Sequence, residues 1–215
     1  MPILITDFDG TFARRDFFDL ILEQFDPPGA EAGWQDFLEG KLTLTEGLNA
    51  VFTTLRTDEA GAAELVAALD PAPGTAAAVR SLQEAGWEIV VASAGCRWYI
   101  DRLLAQQDLA MTVHAASGTF TPETGLLMTP DPAGPYFHPR TSINKPAVVR
   151  EALGRDPIVA YAGDSTTDRE GALMVPPQRR FATGWLQREF SRHEMPHVPF
   201  SVWPEIAAKL LSDSD

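Results

Sequence analysis

The chain has a single cysteine, Cys96. An internal disulfide needs two cysteines, so a disulfide-stabilised fold is excluded. A zinc site built from several cysteines is excluded for the same reason. Neither an internal disulfide nor a multi-cysteine zinc site therefore explains how this chain folds or acts.

Basic residues are also scarce. Lys and Arg number 17 against 30 Asp and Glu, which gives a formal net charge of −13, and the only lysines are Lys41, Lys145 and Lys209. Nucleic-acid binders carry basic stripes that neutralise phosphates, so we expect no nucleic-acid partner. An anionic substrate must be neutralised locally by a metal, a lysine or helix N-termini, which favours a small phosphorylated metabolite as the partner.

Long apolar runs are absent as well. No stretch reaches the roughly 18 apolar residues of a membrane span. The first residues, MPILITD, lack the basic start and the long apolar centre of a signal peptide. We therefore expect no membrane association and a cytoplasmic location. The sequence leaves the oligomeric state open, with a homodimer as one option.

What the chain does contain is the pattern of an α/β domain. Its 215 residues are 45% hydrophobic and 22% charged, which is typical of globular proteins. Buried strands and helices alternate along it, which favours a parallel sheet covered on both faces. The predicted strands are 3–6, 87–92, 112–115, 158–162 and 181–183, with a hairpin at 120–129, and the predicted helices are 75–85, 97–107, 145–153 and 203–211.

Residues 16–73 read differently, because they show helical patterns alone. Pro27-Pro28-Gly29, Gly40 and Thr57 break this segment, and Thr43-Leu44-Thr45-Glu46 resembles a helix capping box. We interpret the segment as an all-helical insertion that caps the site. The predicted core domain comprises 1–14 and 74–215, the cap domain comprises 15–73, and the cap helices are 16–25, 31–38, 43–55 and 58–69.

Polar residues follow three of the predicted buried strands. Asp7 and Asp9 come after the first strand, Ser93 after the second, and Asp164 and Asp168 after a later one. Ligands of parallel sheets bind beyond the carboxyl ends of the strands, so we expect these side chains to face one crevice. Aspartate is also common at strand ends and at the start of turns, which is an alternative explanation for these residues. That alternative would have to hold independently for each of the aspartates.

The acidic residues suit a hard metal ion. Asp7 and Asp9 stand at i and i+2, so an extended backbone points both side chains the same way. Two carboxylates this close raise each other's pKa unless a cation lies between them. With Asp164 as a third oxygen donor, and no nearby pair of Cys or His, the set favours Mg²⁺ over zinc.

Two further features suit a phosphate. The Ser93-Ala94-Gly95 turn offers a hydroxyl and free N–H groups, although an ordinary capped turn is an equal alternative. Lys145 can bridge a carboxylate and a phosphate, although lysines are usually exposed. Together these parts form a phosphoryl-transfer site. In it, Asp7 can be the nucleophile, and Asp9 can protonate the leaving oxygen and later activate water.

These motifs resemble a known family. Asp7-Phe8-Asp9-Gly10-Thr11, Ser93, Lys145 and Gly163-Asp164-Ser165-Thr166-Thr167-Asp168, in this order, are similar to the four motifs of the haloacid dehalogenase superfamily. The resemblance implies a Mg²⁺-dependent phosphatase. It also implies a Rossmann-like three-layer core with a parallel sheet and an inserted all-helical C1 cap.

The same resemblance implies a role for each motif residue. Asp7 is the nucleophile and a metal ligand, and Asp9 is the acid and base and offers its backbone carbonyl to the metal. Ser93, with Ala94 and Gly95, holds the phosphate together with Lys145. Asp164 binds the metal. Asp168 joins the metal-binding set or supports Lys145.

Two stretches point to one branch of the superfamily, and alternatives stay open. Residues 39–48 and 91–95 are similar to the phosphoserine-phosphatase-type branch and also resemble methionine-salvage phosphatases. A phosphomutase or phosphotransferase would share the nucleophile but pass the phosphoryl group to an acceptor other than water. A phospho-accepting signalling receiver also uses clustered aspartates, a hydroxyl and a lysine, but receivers are much shorter and have no helical insertion.

Overall fold

A mainly parallel sheet forms the centre of the computed structural model, which describes residues 1–25 and 30–213. Its strands are β1 (Ile3–Thr6), β2 (Glu88–Cys96), β3 (Thr112–Thr121), β4 (Gly125–Thr129), β5 (Val159–Gly163), β6 (Arg180–Ala182) and β7 (Val198–Pro199). They lie in the order β4-β3-β2-β1-β5-β6-β7, and every neighbouring pair is parallel except β3 and β4. The predicted α/β fold is therefore confirmed.

The central strand is β1, which is buried along its whole length. It pairs with β2 on one side and β5 on the other, so that Thr6 lies opposite both Val91 and Ala162. Because all three strands run the same way, their carboxyl ends meet at one edge of the sheet. The segments that follow β1, β2 and β5 therefore start at the same edge of the sheet.

The segment between β1 and residue 74 forms α-helices and no strand within its described residues, as predicted. An isolated bridge between Ala13 and Pro71 brings the two ends of this segment together. Thr43 caps the third helix in a capping box with Glu46, as its sequence indicated. The break at Pro27-Pro28-Gly29 lies outside the described residues, and the domain limits at 14/15 and 73/74 stay a prediction. The four helices are α1 (Phe17–Phe25), α2 (Ala30–Leu38), α3 (Leu44–Phe52) and α4 (Glu59–Ala67).

Further helices cover both faces of the sheet. They are α5 (Thr75–Glu84), α6 (Arg97–Gln106), α7 (Lys145–Arg155), α8 (Arg169–Leu173), α9 (Gly184–Arg192) and α10 (Trp203–Ser212). Alternate residues of a strand point to opposite faces. Leu4 packs in the apolar cluster that contains α5, α6 and α10, whereas Ile3 and Ile5 pack in the cluster that contains α7, α8 and α9. The core thus has three layers, helix, sheet and helix.

Two predicted boundaries are wrong. The second strand does not end at Ala92 but runs to Cys96, so Ser93, Ala94 and Gly95 belong to the strand and not to a turn. The reason is the pairing of β2 with β3, which resumes at Cys96 after a register shift. β3 is likewise one strand of ten residues that extends into the predicted hairpin.

Among the residues that the structure describes, no helix combines the length and the apolarity that crossing a bilayer requires.

Candidate active site

The predicted polar clusters meet in one cavity at the carboxyl edge of the sheet. The cavity has a volume of about 450 Å³. Asp7, Asp9, Ser93 and Asp164 all line it, and they come from the ends of β1, β2 and β5. The convergence that was expected from parallel strands is therefore present in the structure.

A buried lysine forms ion pairs with two carboxylates beneath this cavity. Lys145 Nζ lies 2.8 Å from Asp7 Oδ2 and 2.6 Å from Asp168 Oδ1. All three side chains are almost completely buried. Lys145 is the first residue of α7, where the side chain of Asn144 caps the helix by accepting from the Ala147 N–H. Because α7 packs against the sheet, the Lys145 ammonium group lies at the end of β1.

Asp168 is held by more donors than any other side chain of the site. Its Oδ1 accepts from Lys145 Nζ and, at 2.7 Å, from the Tyr161 hydroxyl. Its Oδ2 accepts from the backbone N–H groups of Asp164 and Ser165 and from the Ser165 hydroxyl. Gly163 makes room for this arrangement, because a Cβ there would lie 2.5 Å from the Asp168 Cγ. These contacts suit the predicted support of Lys145.

Asp164 is held by the first motif. The Thr11 hydroxyl donates to Asp164 Oδ1 at 3.0 Å. Gly10 has a φ of +70°, and a Cβ at this position would lie 2.7 Å from Asp164 Oδ2. Glycine is therefore needed here both for the left-handed backbone and for the close approach. The hydrogen bond between Thr11 and Asp164 therefore joins the loop after β1 to the loop after β5.

Three of these carboxylates could hold a metal ion. Asp7, Asp164 and Asp168 each offer an oxygen atom, and the three atoms lie within 4.8 Å of one another. All ligand atoms in this set are hard oxygens, which is the donor type that Mg²⁺ prefers. The side chain of Asp9 is not part of this set, so the predicted contribution of Asp9 rests on its backbone carbonyl.

The electrostatics of the cluster also suit a cation. Burial raises the pKa of Asp7 well above its usual range, the Asp168 charge raises it further, and Lys145 opposes both. Burial, followed by the Asp168 charge, raises the pKa of Asp164 to about 7. Ionising these buried, closely spaced carboxyl groups is therefore unfavourable. A divalent cation would offset this cost by stabilising the ionised carboxylates. The residues present therefore fit Mg²⁺.

The pKa shifts of Lys145 and Asp168 favour the charged forms of both groups, whereas those of Asp7 and Asp164 favour the neutral forms. Burial by itself lowers the pKa of Lys145, but the Asp168 and Asp7 carboxylates outweigh it, and the net shift is upward. Burial by itself raises the pKa of Asp168, but the Lys145 charge and several hydrogen bonds outweigh it, and the net shift is downward. Both groups are thus held in their charged forms.

Asp9 has a different environment from Asp7. Its Oδ2 accepts a hydrogen bond of 2.6 Å from the Tyr99 hydroxyl, and its Oδ1 accepts one of 3.1 Å from the Phe17 N–H. Burial, followed by the nearby Asp16 charge, raises the pKa of Asp9 well above its usual range. A carboxyl group that keeps a proton near neutral pH can act as a general acid.

The predicted phosphate-binding residues lie at the end of β2. Ser93 and Gly95 are buried, Ala94 is half-buried, and all three line the cavity. The Gly95 N–H donates to Ser93 Oγ at 3.0 Å. The hydroxyl proton of Ser93 is therefore free to point towards a ligand.

The inserted helices supply the apolar wall of the cavity. Trp34 packs between Phe18 and Phe37, with ring centroids 5.1 Å away on either side. Asp16 and Asp19, at the start of α1, are the acidic members of this wall, and burial raises the pKa of Asp16 to about 6. The apolar lining residues are Phe18, Trp34, Phe37, Leu38, Leu44, Leu48, Phe52 and Trp185.

Several hydrogen bonds hold the inserted helices against the rest of the chain. The Asn49 side chain accepts from the Met128 N–H at 2.8 Å and donates to the Met128 carbonyl at 3.1 Å, which joins α3 to the edge strand β4. The Leu44 N–H donates to the Arg140 carbonyl at 2.8 Å. The wall is therefore positioned by contacts with both β4 and the loop before α7.

Three functional candidates were missed by the sequence reasoning. Tyr99 and Tyr161 donate to the two motif carboxylates Asp9 and Asp168, and Asp16 lines the cavity. A signal for Tyr161 existed, because a tyrosine in a fully buried strand needs a partner for its hydroxyl. Tyr99 had no comparable signal, since it lies in a helix and not at the end of a buried strand.

Known proteins resemble this chain at the level of both sequence and fold. The family model described as haloacid dehalogenase-like hydrolase matches residues 4–172, which include every predicted site residue. A 2-hydroxy-3-keto-5-methylthiopentenyl-1-phosphate phosphatase from Brevibacillus brevis is 26% identical over 209 residues, covering 95% of this chain and 92% of that protein.

Solved structures agree on the fold. A phosphoserine phosphohydrolase-like protein from Francisella tularensis superposes with a TM-score of 0.65 at 18% identity, covering 99% of both chains. A probable phosphoserine phosphatase from Vibrio cholerae superposes with a TM-score of 0.68 at 14% identity, covering 99% of this chain and 66% of that one.

Proposed function

The chain belongs to the haloacid dehalogenase-like hydrolase family, and we propose that it is a Mg²⁺-dependent phosphatase acting on a small-molecule phosphomonoester. The observation that carries this proposal is the lysine-bridged pair Asp7 and Asp168 beneath a cavity that also contains Asp9. Hydrolysis of a phosphomonoester needs a nucleophile, positive charge near the phosphate and a proton for the leaving oxygen. Each requirement has a candidate in this site.

The first half-reaction transfers the phosphoryl group to Asp7. An Asp7 carboxylate oxygen attacks the phosphorus, and the bond between phosphorus and the leaving oxygen breaks. Asp9 gives its proton to that oxygen, so the product leaves as an alcohol. The enzyme is left with an aspartyl-phosphate on Asp7 and a carboxylate on Asp9.

The second half-reaction returns the enzyme to its starting state. The Asp9 carboxylate takes a proton from water, and the water oxygen attacks the phosphorus of the aspartyl-phosphate. The bond between phosphorus and Asp7 breaks. Inorganic phosphate is released, Asp7 is again a carboxylate, and Asp9 again carries a proton.

Other residues of the site bind and orient the phosphate. The Ser93 hydroxyl accepts from the Gly95 N–H, which leaves its own proton to donate to a phosphate oxygen. Ala94 lies between them on the cavity lining. Lys145 supplies positive charge directly behind Asp7 and orients the nucleophile through its 2.8 Å contact. Positive charge placed there favours the approach of an anionic substrate.

The metal would be held by the acidic cluster. Asp7 and Asp164 would bind Mg²⁺ together with the backbone carbonyl of Asp9, and Asp168 completes the acidic cluster around this position. Mg²⁺ bound there would neutralise charge on the phosphate oxygens. Since both oxygens of Asp168 already accept hydrogen bonds, this residue acts mainly by holding Lys145 and by adding charge near the metal.

The cavity wall favours an apolar substrate group. The described residues that line the cavity include no Lys, Arg or His, so a substrate carboxylate such as that of phosphoserine would face Asp16 and Asp19 instead of a cation. The Brevibacillus brevis relative is named for a phosphate ester with a methylthio chain. We therefore propose a substrate whose alcohol part is uncharged, has no carboxylate and carries an apolar group, with esters of the methionine-salvage type among the candidates.

A panel of phosphomonoesters tests this proposal. The panel contains p-nitrophenyl phosphate, an alkyl phosphate, a sugar phosphate and phosphoserine, each assayed with Mg²⁺ for released inorganic phosphate. We expect inorganic phosphate to be released, with water as the phosphoryl acceptor, and the alkyl ester to be preferred over phosphoserine. We also expect EDTA to stop turnover until Mg²⁺ is restored. Full activity in EDTA would remove the metal from the mechanism. A phosphorylated product without free phosphate would indicate a phosphotransferase.

A further inference from the structure

The acid and base of the proposed reaction is held by a tyrosine that belongs to none of the sequence motifs. Tyr99 lies in the first turn of α6, ninety residues after Asp9 in the chain, and its hydroxyl donates to Asp9 Oδ2 at 2.6 Å. The Phe17 N–H, at the start of α1, donates to the other oxygen at 3.1 Å. Asp9 is thus held on both oxygens by groups from two different helices.

The ring of Tyr99 is fixed by its neighbours. It stacks on Phe17 with a centroid distance of 4.3 Å and an interplanar angle of 19°. Phe8 lies 6.1 Å away at a tilt, and Phe52 meets the ring edge-on at 6.2 Å. Only 1% of Tyr99 is exposed. A ring packed on several sides keeps one orientation, so its hydroxyl stays aimed at Asp9.

Gly95 has no side chain and so leaves room for the hydrogen bond between Tyr99 and Asp9. A Cβ at Gly95 would lie 1.8 Å from the Tyr99 hydroxyl oxygen and 2.9 Å from Asp9 Oδ2. Any larger residue would therefore displace the hydroxyl from its hydrogen bond. Besides lining the phosphate end of the cavity, Gly95 is required for the contact between Tyr99 and Asp9.

We propose that Tyr99 is a positioning residue that aims the Asp9 carboxyl group at the leaving oxygen of the substrate. This proposal rests on the function proposed above. The phenol keeps its own proton and donates one hydrogen bond throughout, while the proton that moves is carried by Asp9. Proton transfer is sensitive to geometry, because a misplaced acid reaches the developing alkoxide less often.

The variant Tyr99→Phe tests this role, because it keeps the stacked ring and removes only the hydroxyl. General acid catalysis contributes roughly a hundredfold to ten-thousandfold, so partial misplacement should lower kcat/KM for an alkyl phosphomonoester by about tenfold or more. For p-nitrophenyl phosphate, whose leaving group needs little protonation, we expect a change within about twofold. The ratio kcat/KM is the right quantity, since it reports the first half-reaction.

A double-mutant cycle separates positioning from a general structural role. If Tyr99 acts through Asp9, then Tyr99→Phe should cause no further loss in a protein that already carries Asp9→Asn. Tyr136→Phe is the matched control, because Tyr136 contacts His114 outside the cavity. We expect this control to match the wild type on both substrates.

Three results would overturn the assignment. One is an equal loss of kcat/KM on both substrates, another is no loss on either, and the third is a full additional loss on top of Asp9→Asn. These outcomes leave the proposed function standing, because the wild-type protein still releases phosphate. Failure of the wild-type protein to hydrolyse either ester would instead remove the proposed function, and the positioning role with it.

Discussion

The floor and the wall of the cavity differ in origin and in chemistry. The floor is formed by the ends of β1 and β5 and the start of α7, and its Asp7, Lys145 and Asp168 side chains form a buried, ion-paired cluster. The wall comes mostly from the inserted helices and is apolar, with Trp34 packed between two phenylalanines. The difference supports our proposal that the floor performs the chemistry and the wall selects the substrate.

Within the floor, two aspartates show how the environment assigns roles. Asp7 contacts the Lys145 cation, whereas Asp9 contacts only neutral donors, the Tyr99 hydroxyl and the Phe17 N–H. Burial raises the pKa of both carboxyl groups. At Asp7 the Lys145 cation opposes this rise and favours the ionised form that a nucleophile needs, whereas the neutral donors to Asp9 leave it closer to the protonated form that an acid needs. Residues two apart in sequence are thus fitted to opposite tasks.

The largest effect is expected from removing the nucleophile of the floor. Asp7→Asn replaces the attacking carboxylate with an amide, which cannot form the aspartyl-phosphate. We expect phosphate release to fall by at least about a thousandfold, as when other covalent nucleophiles are removed. Circular dichroism should show an unchanged fold. A variant with the wild-type rate on p-nitrophenyl phosphate would show that Asp7 is not the nucleophile.

The next effect concerns the stability of the floor. Lys145→Met would leave the buried Asp7 and Asp168 carboxylates without their cation. Breaking a buried ion pair by removing one partner typically costs about 3–5 kcal/mol, which urea unfolding at neutral pH would measure.

Lys41→Met provides the control for this prediction. Lys41 also contacts two carboxylates, Asp36 and Glu39, but its side chain is 63% exposed. Exposed pairs contribute little, so we expect this variant to unfold almost like the wild type. Equal losses for both variants would contradict the view that burial makes the Lys145 cluster important.

A smaller effect on activity is expected from a substitution in the cavity wall. Trp34→Ala removes the central aromatic contact of the cavity. We expect KM for an apolar phosphomonoester to rise by about tenfold with kcat nearly unchanged, as when uniform binding is lost. Leu127→Ala, at an exposed residue that does not line the cavity, is the control. A large fall in kcat at constant KM would mean that the wall takes part in the chemistry.

The smallest effect is a pH dependence of the metal-free protein. The pKa of Asp164 is raised to about 7 in the folded state, so the folded state binds this proton more tightly than the unfolded chain. Its contribution to stability is present below the unfolded pKa and is lost as pH rises through about 7.

Urea unfolding in EDTA should therefore show a free energy of unfolding that falls between about pH 5 and pH 8. Mg²⁺ should stabilise the protein more at pH 8 than at pH 5, because protons compete with Mg²⁺ for the carboxylates at the lower pH. Asp164→Asn should flatten this dependence. An unchanged slope in the variant would assign the titration to another group.

Much of the floor could be predicted from the sequence. Buried strands such as 3–6 and 158–162 are visible as short apolar runs, and the aspartates that follow them mark the carboxyl edge of a parallel sheet. The end of β2 was predicted wrongly, because Ser93, Ala94 and Gly95 look like a turn. Only the pairing of β2 with β3 extends the strand through them.

The last third of the chain was harder to predict. No element was assigned to residues 169–173 or 184–192, which form α8 and α9, nor to 198–199, which form β7. α8 and β7 are very short, so local pattern is weak there and pairing or packing with distant segments decides the structure.

The amino-acid sequence alone determined which groups are candidates for the chemistry, because strand ends and motif spacing are local properties that can be recognised without knowledge of packing. The tertiary structure decided what surrounds those groups. Tyr99 reaches Asp9 across ninety residues, and the faces of α1, α2 and α3 that line the cavity depend on how Asn49 docks on β4. Such contacts join segments far apart in the chain, so no periodicity within one segment can specify them.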